Sequence, residues 1–190
     1  MPGRSIRIAR IAGIPVGISP WWLLVVALLT WSLSVGYFPQ AAPGLSTAAS
    51  VAFALASVLT LFAGILAHEF GHALVARRAG VEIEEIDLWL LGGVARMRTQ
   101  PKRAGDELRF ALAGPAVTAV LAIVFGAAWA LSAGAPDALR AFVAYQTQVN
   151  VAIVGFNLLP ALPLDGGRVA RALIWQRTGD LRRATELAAR

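Results

Sequence analysis

Four long apolar runs divide this chain, and short polar or glycine- and proline-rich stretches separate them. The runs are Trp21–Phe38, Thr47–Arg77, Phe110–Leu131 and Leu139–Leu159. Each is close to or above the ~20 residues that a helix needs to cross a bilayer. The fourth run is unusually polar, and its amide side chains are Gln146, Gln148, Asn150 and Asn157. We expect these amides to hydrogen-bond to neighbouring helices or to line a cavity. The pattern predicts an α-helical integral membrane protein with about four transmembrane helices.

The stretch between the second and third runs has a different period. Over residues 81–99, acidic and apolar residues partly alternate, and a Gly92–Gly93 pair precedes Val94 and Arg96. This pattern predicts a strand, a tight turn at the two glycines and a second strand, because glycine adopts the positive φ angles of such turns. The tip is apolar and far too short to span a bilayer. We therefore expect a membrane-associated β-hairpin that dips into the protein at membrane depth, with an ordinary surface hairpin as the alternative.

Three further stretches are predicted to lie outside the spans. Residues 1–19 form a basic lead and a segment rich in glycine and proline, which predicts an extended or interfacial conformation. Residues 100–107 predict a polar loop, and Gly114–Pro115 should then kink or start the third helix. Residues 166–190 are basic and amphipathic. The N-terminus has no evident small-residue cleavage site, so we expect no cleavable signal peptide.

The composition supports the membrane prediction, and the distribution of Lys and Arg along the chain accounts for the positive charge. The chain is 57% hydrophobic and 15% charged, with a formal net charge of +6. All of its 17 Lys and Arg residues except Arg140 lie before the first run, from the end of the second to the start of the third, or after the fourth. The positive-inside rule places those segments, both termini included, in the cytoplasm. The basic charge therefore reflects topology in the cell membrane, and we expect no nucleic-acid binding.

The two histidines of the chain lie four positions apart in His68-Glu69-Phe70-Gly71-His72, near the end of the second run. On a helix, residues i and i+4 share one face, so both imidazoles can reach one ion and Glu69 can act on a nearby water as a general base. This is the H-E-x-x-H pattern of zinc peptidases. A solvated surface helix is the alternative, but the preceding Ala48–Ala67 carries no charge. Ionisable groups at membrane depth cost about 2.5–3.5 kcal/mol and are usually functional, which favours a metal site.

A catalytic zinc site needs a third protein ligand, and the chain has no cysteine and no further histidine, so that ligand must be a carboxylate. The acidic residues predicted on a partly exposed strand are Glu82, Glu84, Glu85 and Asp87. Those in polar or terminal stretches are Asp106, Glu107, Asp137, Asp180 and Glu186. Asp165 differs because it ends an apolar stretch in which Pro160 and Pro163 break the helix, and Gly166–Gly167 allows a sharp turn. We expect Asp165 to point inward, and the alternative is an ordinary N-cap of the next helix.

Two motifs together resemble a known family. His68-Glu69-Phe70-Gly71-His72 and the downstream FNLLPALPLDGGRV are similar to the two motifs of the site-2 proteases, which are intramembrane zinc metalloproteases. LWLLGGVARM resembles the membrane-entering β-hairpin of that family, and Gly114–Pro115 falls where the family has a similar element. The resemblance covers roughly residues 10–180.

The resemblance implies one zinc ion per chain, held by His68, His72 and Asp165, with Glu69 activating the water. It also implies that Asn157 lies beside the scissile peptide, as an oxyanion or substrate-backbone partner, and that Pro163 shapes the loop holding Asp165. A substrate helix must unwind before cleavage because its carbonyls are hydrogen-bonded. As a hypothesis, the opened segment pairs with a free strand edge of the hairpin. The hairpin residues assigned to this substrate binding are Leu91, Gly92, Gly93 and Val94.

The implied activity is cleavage of a peptide bond in a transmembrane protein near the cytoplasmic face. An anti-sigma factor, another single-span regulator and a signal-peptide remnant are the substrates considered, and the oligomeric state is left open. The alternative is a non-catalytic zinc-binding scaffold or a transporter. A transporter should show further intramembrane carboxylates or a repeated half, and a dead homologue usually loses the glutamate or a ligand. We expect residues 1–190 to form one transmembrane metalloprotease core, without the further C-terminal spans or the CBS domain that many relatives carry.

Overall fold

The computed structural model describes residues 5–89, 92–99 and 101–189. The strands are β1 (Ile6–Ile11), β2 (Ile14–Ile18), β3 (Ile83–Trp89) and β4 (Gly92–Met97). The helices are α1 (Pro20–Ser32), α2 (Phe38–Ala41), α3 (Thr47–Arg78), α4 (Ala104–Leu131), α5 (Asp137–Asn157), α6 (Asp165–Thr178) and α7 (Leu181–Ala188). A π-helical turn, Leu33–Tyr37, joins α1 to α2, so that Pro20–Ala41 is one continuous helical segment.

Within the described residues, three helical segments are long and apolar enough to cross a membrane: Pro20–Ala41, Thr47–Arg78 and Ala104–Leu131. They correspond to the first three predicted spans. The fourth predicted span is the 21-residue helix α5, which is more polar, and its membrane crossing stays a prediction. Large apolar side chains cover the outside of the spanning helices, and Trp31, Ile123 and Leu131 are exposed by 65%, 70% and 87%. Such a surface is suited to contact with lipid.

The four strands form one sheet in the order β1-β2-β3-β4. The β1–β2 and β3–β4 pairs are antiparallel, whereas β2 and β3 run parallel. Ser19 N–H donates to Leu88 O at 2.8 Å just before α1 begins, which ties the first spanning segment to the hairpin. The extended conformation predicted for residues 1–19 therefore takes the form of two strands. The pairing of β2 with β3 is long-range in sequence and leaves no local signal.

The hairpin contains the two predicted strands, but the prediction of a turn at Gly92–Gly93 is wrong. Both glycines belong to β4, where Gly92 pairs with Trp89 and Gly93 pairs with Leu88, so the connection falls at residues 90–91, outside the described residues. A Cβ built on Gly93 would lie 2.4 Å from Glu69 Cγ. The missing side chain at Gly93 therefore lets β4 lie against α3, which is a packing requirement and not a turn requirement. The depth of the hairpin in the membrane stays a prediction.

Helix α4 begins earlier than expected. The prediction of a polar loop through residue 107 is wrong from Ala104 onward, because α4 starts there and carries Asp106 and Glu107 in its first turn. Carboxylates in a first turn are favoured by the positive end of the helix dipole. Pro115 lies inside the helix and not at its start. The early start places Glu107 in the interior, where it is 2% exposed.

Polar contacts tie the apolar helices together. Gln146 on α5 is fully buried and donates from Nε2 to Ser57 O on α3 at 2.9 Å, which confirms that an amide of the fourth run bonds to a neighbouring helix. Tyr37 donates its hydroxyl to Ala141 O on α5 at 2.9 Å. Helix α4 packs against α3, α5 and α6. This arrangement brings the end of α3 and the start of α6 together beside α4.

Candidate metal centre

Helix α3 carries both histidines on one face near its C-terminal end. Ser46 caps its start by accepting a hydrogen bond from Ala49 N–H at 3.3 Å, and the helix then runs unbroken through His68-Glu69-Phe70-Gly71-His72. His68 and His72 are 6% and 4% exposed, and their Nε2 atoms lie 3.1 Å apart. The spacing of four residues therefore brings two ring nitrogens to one buried point, as the sequence predicts.

Asp165 reaches the same point from α6. Its Oδ2 lies 3.2 Å from His68 Nε2 and 3.3 Å from His72 Nε2. Asp165 is the first residue of α6, and the N-cap position belongs to Leu164, so the alternative of an N-cap aspartate is not what the structure has. A Cβ on Gly166 would lie 2.3 Å from Leu158 O, and one on Gly167 would lie 2.5 Å from Ala161 C. The two glycines thus let the start of α6 press against the preceding loop, which contains a cis Leu162–Pro163 peptide bond.

Hydrogen bonds on the far side of each imidazole fix which nitrogen faces the centre. His72 Nδ1 lies 2.7 Å from Phe110 O, a pure acceptor, so Nδ1 carries the proton and donates. His68 Nδ1 lies 2.9 Å from Thr118 Oγ1, and that hydroxyl itself donates to Gly114 O at 3.4 Å. Thr118 therefore accepts from His68. Both rings are held as Nδ1–H donors, which leaves the Nε2 lone pairs directed at Asp165.

The three atoms fit a zinc ion. In a tetrahedral site with bonds of ~2.0 Å, neighbouring ligand atoms lie about 3.3 Å apart. The three edges of the His68–His72–Asp165 triangle measure 3.1, 3.2 and 3.3 Å. Asp165 Oδ2 is buried and makes no hydrogen bond within the described part of the chain. Two ring nitrogens and one carboxylate are a donor set that zinc accepts, and three lone pairs at this separation are satisfied by a cation.

The carboxyl of Asp165 is ionised at neutral pH, as a metal ligand must be. The aspartate therefore presents a negative charge to the two histidines. In the described part of the chain, no lysine or arginine forms an ion pair with its Oδ2.

Gly114 on α4 allows this helix to pass next to the histidines. A Cβ on Gly114 would lie 2.2 Å from His72 Nε2 and 2.6 Å from His68 Nε2, closer than any real contact of this kind. The glycine is therefore required by the space that the two rings occupy. It also sits one turn before Thr118, so the same face of α4 makes room for one histidine pair and supplies the acceptor for His68.

Glu69 lies beside the triangle in a cavity of about 420 Å³. His68, Glu69, Thr118, Gly93 and Asn157 are among the residues that line it. Asn157 donates from Nδ2 to Ile153 O at 3.0 Å, so the amide retains a second N–H and its carbonyl oxygen. The cavity therefore brings a carboxylate, an amide and the start of β4 to the open side of the three-atom centre.

Of the hairpin residues predicted to bind substrate, the structure places Gly92 and Gly93 at the cavity. Leu91 lies outside the described residues, as does the side chain of Val94. Pro163 belongs to the loop before Asp165, and its neighbour Leu164 lines the cavity.

The other carboxylates lie elsewhere, and among the described residues the metal-binding group comprises His68, His72 and Asp165. The strand β3 is partly exposed, as predicted, but Asp87 on it is buried. Asp87 is 6% exposed and pairs with Arg96 at 3.1 Å on the neighbouring strand. Glu85 pairs with the same arginine at 3.2 Å. Asp87 and Glu85 therefore form ion pairs between neighbouring strands of the sheet.

Sequence reasoning missed the groups behind the ligands. Thr118 is a hydroxyl within an apolar run, which is a weak signal of a buried hydrogen bond. The acceptor for His72 is the backbone carbonyl of Phe110, and a backbone carbonyl has no mark in the sequence. The ring of Phe110 also packs on His72, with centroids 4.8 Å apart.

A His-Glu-x-x-His helix with an aspartate completing the cluster, set among apolar helices, defines a membrane protein with a metallopeptidase motif. The chain belongs to peptidase family M50, because the model of that family matches residues 56–139 and 130–190. The resemblance to the site-2 proteases is also confirmed. The solved structure of a site-2 protease from Methanocaldococcus jannaschii matches with a TM-score of 0.61 and 30% identity, covering 97% of this chain and 78% of that one.

Curated relatives carry names of the same kind. Rip3 of Mycobacterium tuberculosis, named a zinc metalloprotease, is 39% identical over 188 residues, which is 98% of this chain and 48% of Rip3. A protein of Synechocystis with a zinc metalloprotease name is 36% identical over 189 residues, covering 98% of this chain and 48% of that protein. The chain thus spans about half the length of the curated relatives that it matches.

Proposed function

We propose that this chain is the core of an intramembrane zinc metalloprotease. His68, His72 and Asp165 would hold one zinc ion per chain, and Glu69 would act as the general base. The observation that carries the proposal is the triangle of ligand atoms with edges of 3.1 to 3.3 Å, next to a glutamate in a shared cavity. Membership of peptidase family M50 supports the same reading.

Zinc, when bound, supplies Lewis acidity that polarises a peptide carbonyl and makes water a better nucleophile. Glu69 would take the proton from the attacking water and pass it to the leaving amide nitrogen. The carboxylate is well placed for this because it lines the same cavity as His68 and lies against the backbone of β4 at Gly93. Thr118 and Phe110 O would keep both imidazoles in the tautomer that leaves Nε2 free.

Asn157 would bind the substrate beside the reacting carbonyl. Its amide uses one N–H on Ile153 O, so the second N–H can donate to a carbonyl oxygen that gains negative charge. Pro163 would shape the loop that delivers Asp165, since it lies two residues before the aspartate. Both roles depend on residues at the same end of α5 and the loop that follows it.

The hairpin would hold the substrate in extended form. β4 is an edge strand of the described sheet, and Gly92 and Gly93 present a nearly bare backbone to the cavity. A peptide that adds to this edge would have its amides hydrogen-bonded by β4 after leaving its own helix. Leu91 and Val94 belong to the same proposed binding segment. A Pro substitution along β4 would then slow cleavage and leave zinc bound.

The charge pattern supports a cytoplasmic location for both termini and for the active site. With α5 as a fourth span, all Lys and Arg residues except Arg140 fall on one side. His68 lies late in a span running toward that side. The substrate would be a transmembrane protein cut near the cytoplasmic face, such as an anti-sigma factor, another single-span regulator or a signal-peptide remnant.

Replacing Glu69 by Gln tests catalysis against the alternative of a zinc-binding scaffold or transporter. We expect cleavage of a single-span substrate, reconstituted with the chain in lipid vesicles, to fall by roughly 10²–10⁴-fold, because the base is lost. Zinc content should stay at the wild-type level, since Glu69 is not a ligand. Cleavage at the wild-type rate by Glu69→Gln would rule out the proposed mechanism. A wild-type chain that binds zinc and cleaves none of a panel of single-span substrates would favour the scaffold.

A further inference from the structure

A buried cluster of charges joins α4 to α6, away from the cavity. Glu107 on α4 is 2% exposed, and its Oε1 accepts hydrogen bonds from Nε of Arg171, at 3.0 Å, and from Nη2 of the same guanidinium. Arg168 Nε lies 3.7 Å from the same oxygen. One carboxylate thus meets two arginines that are one turn apart on α6. We call Glu107, Arg168 and Arg171 the ionic cluster.

On α4, the ionic cluster lies one turn before the group that orients His72. Phe110 follows Glu107 by three residues, and its carbonyl accepts the hydrogen bond from His72 Nδ1 at 2.7 Å. The guanidinium carbon of Arg168 lies 4.3 Å from the centroid of the Phe110 ring. The ring in turn packs on His72. Contacts therefore run without a gap from the ionic cluster through Phe110 to a proposed metal ligand.

The two arginines of the ionic cluster belong to α6, the helix that begins with Asp165. Arg168 and Arg171 follow the aspartate by three and six residues, and they are i,i+3 neighbours of each other on the helix. Fixing these two side chains on Glu107 fixes how far α6 lies along α4 and how it is rotated. Both quantities decide where the Asp165 carboxylate falls relative to the histidines.

A buried ion pair is a weak source of stability, because desolvation offsets most of the charge attraction. Its best-supported use is to select one register between packed elements. Here the ion pairs would select the register of α6 on α4. This register matters because ligand atoms must be placed within a few tenths of an ångström for a metal to bind.

We propose that Glu107 is a positioning residue for the metal centre: through Arg168 and Arg171 it holds α6 where Asp165 meets His68 and His72. This inference rests on the proposed role of those three residues as zinc ligands. It assigns to the ionic cluster a role in metal affinity and in the geometry of the bound metal, beyond a role in folding.

The test compares Glu107→Gln with Asp106→Asn in the full chain in detergent. Asp106 is the matched control because it is the neighbouring acid on α4 and pairs with Arg109, which is 79% exposed. Zinc affinity is measured by competition with a chelator, and cobalt is added to metal-free protein so that its visible spectrum reports the ligand geometry. We expect Glu107→Gln to weaken zinc binding about 10-fold or more and to alter the cobalt spectrum, as loss of an outer partner typically does. Asp106→Asn should match the wild type.

A purely structural role would lower the unfolding temperature of Glu107→Gln and leave zinc affinity and the cobalt spectrum of the folded protein unchanged. That result would overturn the inference and leave the metal centre standing. If Glu107→Gln does not fold, Arg171→Lys decides, because it keeps the charge and loses the forked hydrogen bonds. Its zinc affinity should fall below that of Asp106→Asn, and equal affinities would overturn the inference. A wild-type chain that binds neither metal would overturn both this inference and the proposed function.

Discussion

Two groups of buried polar side chains lie along α3, and they differ in the direction of their hydrogen bonds. Toward one end, Ser57 donates its hydroxyl to Phe53 O at 2.8 Å, Gln146 donates to Ser57 O, and Asn150 donates to Gln146 O at 2.8 Å. All three donors end on backbone carbonyls, and the Gln146 bond joins α5 to α3. Toward the other end, His68 and His72 send their N–H groups outward, so their lone pairs converge with Asp165.

Hydrogen-bond direction separates packing from chemistry inside this membrane protein. Burial alone does not separate the groups, since Gln146 and His72 are 0% and 4% exposed. The donors of the first group end on carbonyls and need no ligand, whereas the converging lone pairs of the second group do. Changes in the histidine group should therefore alter metal binding, and changes in the amide group should alter helix packing.

The largest expected effect comes from Asp165→Ala. Removing one of three ligands should reduce zinc from about one ion per chain to a small fraction of that. The measurement is metal content by elemental analysis of detergent-purified protein. Equal zinc in the wild type and the variant would mean that the third ligand lies elsewhere, and the hairpin glutamates would be examined next.

Gly114→Ala should have the next largest effect. Its Cβ would occupy space within 2.6 Å of both Nε2 atoms, so the rings or α4 must move, and zinc affinity should fall about 100-fold. Gly126→Ala on the same helix is the control, because its Cβ would meet Thr147 Cγ2 at an ordinary 3.5 Å. Similar zinc affinities in the two variants would mean that the helix does not constrain the histidines.

Thr118→Val should have a smaller effect. Valine keeps the shape of threonine but leaves His68 Nδ1 without its acceptor, so zinc affinity should fall about 10-fold. Thr147→Val is the matched control because its hydroxyl makes a bond within its own helix, to Val143 O at 2.8 Å. Chelator competition measures both. An unchanged affinity in Thr118→Val would show that the tautomer of His68 is set by other contacts.

The smallest effect on zinc is expected from Gln146→Leu. This change removes the bond to Ser57 O and should alter the free energy of unfolding by about 1 kcal/mol, with zinc affinity unchanged. Thermal unfolding and chelator competition measure the two quantities on the same sample. A loss of zinc here would erase the distinction between the two buried groups.

The sequence was informative where side chains carry the chemistry. His68 and His72 are the two histidines of the chain, and their spacing alone brings them to one face of a helix. Asp165 could be singled out because prolines and glycines surround it in an apolar stretch. The approach of all three to within 3.3 Å was thus foreseeable from residue type and spacing.

The sequence was uninformative where position depends on distant partners. The sequence around Glu107 is typical of a loop. Its burial depends on ion pairs with Arg168 and Arg171, which lie on another helix. The Gly92–Gly93 pair is typical of a turn. Gly93 instead leaves space for the Glu69 side chain, a contact that only the folded structure shows. Strands β1 and β2 were foreseeable as extended chain, but the pairing of β2 with β3 is a long-range contact.

The separation of the proposed ligands along the chain sets a time order for biosynthesis. His68 and His72 enter the membrane with α3, whereas Asp165 is made only after α4 and α5 have followed. At about 5–20 residues per second, the ribosome needs roughly 5–20 s to travel from the histidines to the aspartate. During that interval the newborn chain has a glutamate and two histidines in the membrane but no complete centre. The proposed centre therefore cannot form until Asp165 has been synthesised, after α3, α4 and α5.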